Sequence, residues 1–170
     1  MLKRFFIVGL VQSVALLFFF SPLCMAQTEP TEILYLLPFN PGQAPEPVTA
    51  ALFDALVEHL YALGEKRNLQ VTIVKEELTD EDAAWFAQRE YLIGEVSRYS
   101  EEKGCCYTEI KLTGQVQLQL SGGAKQPIIE MSDGHFFNHD MTPAQKALVE
   151  ICDRLGRRMA EQILVQIDVN

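Results

Sequence analysis

Apolar and polar positions follow three distinct rhythms along the chain, and each rhythm predicts an element. Ile33 to Phe39 (ILYLLPF) is a continuous apolar run, long enough for a buried strand and too short for a helix. Pro38 and Asn40-Pro41-Gly42 close it. Leu52, Leu56, Leu60 and Leu63 then recur at helical spacing until Gly64, behind Pro47, which a first helical turn tolerates. Leu69, Val71 and Ile73 alternate with Gln70 and Thr72, the mark of a half-buried strand. Thr79 and Asp82 resemble a capping box with Asp in place of Glu. They would open a short helix through Ala83, Ala84, Trp85 and Phe86, with Trp85 in the core.

The second half is richer in strands. Tyr91 to Tyr99 begins apolar and becomes alternating, and Glu101-Glu102-Lys103-Gly104 reads as a charged turn. Behind it lies the clearest period-two segment of the chain. Cys106, Ile110, Leu112, Val116, Leu118 and Leu120 share one face, while Tyr107, Glu109, Lys111, Thr113, Gln115, Gln117 and Gln119 share the other. Ser121-Gly122-Gly123 turns the chain into a further strand over Pro127 to Phe137. Thr142-Pro143 then caps a long final helix, whose apolar stripe is Ala144, Leu148, Ile151, Leu155, Met159 and Ile163. The order β-α-β-α-β-β-β-α predicts one α/β domain over residues 27–170, a mixed sheet of roughly five strands with helices packed on it.

Charge and the first segment narrow the function. The 170 residues carry 14 Lys plus Arg against 23 Asp plus Glu, a formal net charge of -9. That balance excludes a nucleic-acid partner, which needs clustered basic groups on one face. Residues 1–26 read as a secretory signal. Lys3 and Arg4 give a positive start, Phe5 to Phe20 an apolar stretch, Pro22 a break, and Cys24-Met25-Ala26 small residues where a signal peptidase cuts. Cleavage after Ala26 would leave Gln27 first and place the domain in the periplasm. Gln12 and Ser13 interrupt the run, which argues against an uncleaved anchor. Leu23 is ill suited to lipid attachment at Cys24. Membrane contact is therefore expected only through a retained or lipidated N-terminus, if at all.

Export lets thiols pair, and three cysteines remain: Cys105, Cys106 and Cys152. An odd count allows one bridge within the chain. Adjacent cysteines rarely bridge each other, because Cα atoms about 3.8 Å apart force a distorted peptide. Cys106 shares parity with Ile110 and Leu112, and Cys152 lies in the stripe of the last helix, so a Cys106–Cys152 disulfide is expected. Cys105 is the alternative partner through a β-bulge.

Candidate chemistry is sparse. His135 and His139, with Asp133 before and Asp140 after them, form the best candidate for a borderline metal. No third ligand stands at a motif spacing, and Asp140 is accounted for as charge near a helix N-terminus. Neither a GxSxG elbow, nor CxxC, nor GxGxxG, nor a P-loop lysine occurs. The expectation is a non-enzyme without cofactor that binds envelope proteins; the alternative is a metal-binding protein or enzyme using His135 and His139. The polar face carrying Tyr107, Lys111, Thr113, Gln115, Gln117 and Gln119 is the expected partner surface, since amide and hydroxyl groups suit adaptable contacts.

Leu37-Pro38-Phe39 after the first strand and Tyr91-Leu92-Ile93-Gly94-Glu95-Val96 carry a resemblance. With the element order, they look like the anticodon-binding-domain-like fold over roughly residues 33–167. That fold occurs in the amino-terminal domain of TolB, in curli secretion lipoproteins and in lipoprotein activators of peptidoglycan synthases. The resemblance implies a bacterial cell-envelope domain that works by binding other proteins.

Overall fold

The computed structural model describes residues 32–40, 42–74 and 83–168. The expected signal segment and the expected Thr79/Asp82 capping box lie outside the described residues. The elements are β1 (Glu32–Leu36), α1 (Glu46–Gly64), β2 (Leu69–Ile73), α2 (Ala83–Phe86), β3 (Tyr91–Lys103), β4 (Tyr107–Gln119), β5 (Ile129–Asn138) and α3 (Ala144–Asp168). They build a five-stranded mixed sheet ordered β2-β1-β3-β4-β5. β1 runs parallel to β2 and β3, whereas β3, β4 and β5 form an antiparallel meander. The expected α/β class and element order are those observed.

One sheet face holds the core. Leu34, Leu36, Leu92, Val96, Ile110, Leu112, Val116 and Leu118 point into it and meet Leu52, Leu56 and Leu60 of α1 and Ile151, Leu155, Met159 and Ile163 of α3. Full burial of each such side chain stabilises the fold by about 1.5–3 kcal/mol. The two long helices lie against each other, and Gly156 of α3 allows a close approach: a Cβ there would stand 2.9 Å from the backbone of Ala55 and Leu56. His59 Nε2 and Asp153 Oδ1, 2.8 Å apart, link the same two helices at the surface. The α3 stripe is slightly rotated from expectation. Ala144 is exposed, and Ala147, Ala160 and Leu164 are buried beside the expected Cys152.

β3 keeps pairing with β4 as far as Lys103 opposite Thr108, so the expected turn residues Glu101 to Lys103 are strand. An irregularity between Val96 and Arg98 absorbs one residue, and it leaves Tyr99 packed on the core. The reversal falls instead on Cys105-Cys106, closed by Gly104 N–H donating to the Tyr107 carbonyl at 2.7 Å. Cys106 therefore sits in an exposed hairpin turn and never enters the pleat that would aim it inward. Cys152 is buried, all three thiols are free, and the expected Cys106–Cys152 bridge is not formed.

Trp85 also departs from expectation. The α2 turn crosses to the sheet face away from the long helices, where Trp85 meets Tyr35 edge-on at 4.9 Å and Phe86 meets Tyr91 at 5.2 Å. Phe86 is buried there while Trp85 stays 38% exposed, its ring covered by the Arg89 guanidinium at 3.8 Å.

Beyond burial, α3 reaches β5 with polar side chains. Arg154 pairs with Asp133 at 3.0 Å and donates to the Gly134 carbonyl at 3.3 Å, and Arg158 donates to the Ser132 carbonyl at 3.3 Å. Gln166 Nε2 donates to the Pro127 carbonyl at 3.1 Å. Among the described residues no helix is long and apolar enough to cross a membrane.

Candidate interaction surface

Pleating aims Tyr107, Glu109, Lys111, Thr113, Gln115, Gln117 and Gln119 of β4 away from α1 and α3, as the alternation predicted. The register sets this row between Glu95 and Ser100 of β3 and Glu130, Ser132, Gly134 and Phe136 of β5. The row is less wet than its composition suggests. Thr113 and Gln119 are buried, Thr113 Oγ1 lies 2.9 Å from Ser132 Oγ, and Ser97 Oγ donates to the Thr113 carbonyl at 3.3 Å.

The amides are held by one another. Gln119 Nε2 donates to Gln117 Oε1 at 3.0 Å, Gln117 Nε2 donates to the Gln126 carbonyl at 3.0 Å, and Gln115 Nε2 donates to Glu95. Lys111 pairs with Glu109 at 3.0 Å, and that carboxylate raises the pKa of its ammonium. Side chains fixed in this way lose little further freedom when a partner arrives, which favours binding.

Apolar groups flank the polar row at both ends. Tyr107 and Phe136 stack at 5.0 Å with ring planes 14° apart, and they are 47% and 65% exposed. At the other end Ile128 is 58% exposed beside a shallow hollow of about 150 Å³ that also takes in Ile93, Glu95, Gln115 and Gln117. The face thus combines an amide-rich centre with exposed aromatic and aliphatic side chains. Ile128 and Phe136 were missed in the sequence, although a signal existed. In Ile128-Ile129 and Phe136-Phe137 two adjacent apolar residues sit in one extended segment, so one of each pair must face outward.

The residues of the metal candidate do not converge. His135 points to the helical side, 3.5 Å from Glu150 and stacked on Phe137 at 5.9 Å. His139 Nδ1 is 3.3 Å from Thr108 Oγ1, and its other ring nitrogen is 3.9 Å from Asp140. Asp133 is taken by Arg154. Among the described residues no group of three or more His, Cys, Asp or Glu side chains is placed to hold a metal ion.

A second hollow, about 310 Å³, opens between the segment after β1 and the start of α1, lined by Pro38, Phe39, Ala44, Ala50 and Phe53. Thr49 Oγ1 beside it is buried with no hydrogen-bond partner among the described residues.

No family model matches the chain. Nor does any curated protein sequence match it. Its fold is that of a hypothetical protein from Chlamydia trachomatis, at a TM-score of 0.54 with 10% identity, covering 78% of this chain and 95% of that one. Further similar structures include a PelC dodecamer from Paraburkholderia phytofirmans (TM-score 0.48, 13% identity, 74% and 85% covered). The rare lipoprotein B from Shewanella oneidensis is another (TM-score 0.44, 10% identity, 80% and 94% covered).

Proposed function

We propose that this chain is a non-catalytic binding or assembly module of the bacterial cell envelope, and that it engages a protein partner through the sheet face opposite its long helices. The observation that carries the reading is the constellation on that face: a self-bonded amide row with the Tyr107/Phe136 stack at one end and Ile128 at the other. Export is supported by the signal-like first 26 residues, and an envelope role by the resemblance carried in Leu37-Pro38-Phe39 and Tyr91 to Val96. A surface of aromatic anchors beside oriented amides supplies desolvation energy and hydrogen-bond specificity together.

Photo-activated cross-linking in the producing cell tests the proposal. A photoreactive residue at Gln117 or Phe136 should capture a discrete envelope protein, while the same residue at Glu161, exposed on α3, should not. Equal capture at all three positions, or none at the sheet face, would sink it.

A further inference from the structure

Cys105 and Cys106 occupy the two-residue turn at the tip of the β3–β4 hairpin, both exposed, with their sulfur atoms 3.7 Å apart. Cysteine is among the residue types most often buried, and tight turns favour Gly, Asn, Asp, Ser and Pro. Neither packing nor turn chemistry therefore selects two cysteines here. A solvent-accessible thiol beside a second one within contact distance is the arrangement of a thiol that oxidises and is then resolved by its neighbour.

We propose that Cys105 and Cys106 form a reversible vicinal disulfide, which makes the hairpin tip an oxidation site for a disulfide-bearing oxidant. One thiolate attacks the oxidant's disulfide and forms a mixed disulfide while expelling one thiolate. The neighbouring cysteine then attacks the mixed disulfide and expels the second. Two protons pass from the cysteines to the expelled thiolates, the pair is oxidised by two electrons, and the oxidant is reduced to two thiols. An open hollow of about 530 Å³ around Glu102, Gly104, Tyr107 and Phe136 gives the oxidant access to the sulfurs.

The same geometry makes the bond easy to reopen. Adjacent Cα atoms stand about 3.8 Å apart, inside the usual disulfide span of roughly 4.4–6.8 Å, and a strained, exposed bond is readily reduced. Closure must shorten the sulfur separation within a turn closed by the Gly104–Tyr107 hydrogen bond. Cys152 does not compete. It is 1% exposed, and burial pushes its thiol up to about 12.

The reduced full chain, treated with oxidised glutathione, quenched by an alkylating agent and cut with trypsin, gives a direct readout in the peptide from Gly104 to Lys111. In the native protein that peptide should be recovered two hydrogens lighter, unalkylated and without glutathione, and excess reduced glutathione should restore two alkylatable thiols. Cys105→Ser and Cys106→Ser should each stop at one persistent glutathione adduct, whereas Cys152→Ser should behave as the native chain. A native peptide that stays fully alkylatable, carries glutathione on both cysteines or links to a second chain would overturn the proposal. So would loss of closure in Cys152→Ser.

Discussion

The ring of Phe39 lies directly on Gly94: a Cβ at that glycine would stand 2.6 Å from Phe39 Cε1. The contact joins the two segments that carry the family resemblance. Leu37 N–H donates to the Leu92 carbonyl at 3.1 Å and Asn40 N–H to the Gly94 carbonyl at 2.9 Å, so the strand continues past β1 along β3. Val116 Cγ1, 2.8 Å from the same added carbon, closes the other side. Gly94→Ala should therefore destabilise the domain by about 1–3 kcal/mol through overpacking. Urea denaturation checks it, and an unchanged midpoint would contradict the packing.

Gln115 is bonded to Glu95 across the β3–β4 pair. Gln115→Glu sets two carboxylates opposite each other and should cost about 1 kcal/mol, less at high salt. Adding Glu95→Gln should recover most of the loss. A double-mutant cycle in chemical denaturation would show the coupling.

Burial of Cys152 has a consequence at high pH. Desolvation raises its thiol from 9.0 to about 12, so between those values the unfolded chain has given up a proton that the native one keeps. The stability this supplies is complete below pH 9 and is lost as pH rises through the folded value. Tyr99, also raised chiefly by burial, acts in the same direction. Cys152→Ala should flatten the alkaline decline relative to the native chain, measured as urea midpoints across that range. Equal slopes in the two proteins would refute it.

The protein recovered from its host should begin at Gln27, as the signal pattern predicts. Intact mass of the protein recovered from its host decides the matter; a retained Met1 or a lipid on Cys24 would exclude cleavage after Ala26.

The alternation of β4 was legible because one face of that strand is core along its whole length, so parity alone fixes which residues are hidden. Parity failed at Cys106 because the place of reversal depends on how far β3 continues, and β3 runs through Glu101, Glu102 and Lys103, whose charges mimic a turn. Glu101 is tolerated in the strand with the Tyr99 hydroxyl donating to it at 3.1 Å and Lys103 beside it at 3.1 Å. Trp85 was misplaced for another reason: an apolar cluster four residues long does not encode which face of the sheet it will cover. The polar surface was half legible, since composition named its amides but not the bonds that bury Thr113 and Gln119.

β5 is the last strand of the sheet, and such a margin is normally a template on which a second chain can extend the ladder. Here the carbonyls of Ser132 and Gly134 already accept from Arg158 and Arg154 of α3. Guanidinium groups parked on that rim leave an incoming strand fewer acceptors to dock against. The helix thus acts as a bumper as well as a lid for the core: it discourages sheet-to-sheet polymerisation at this border.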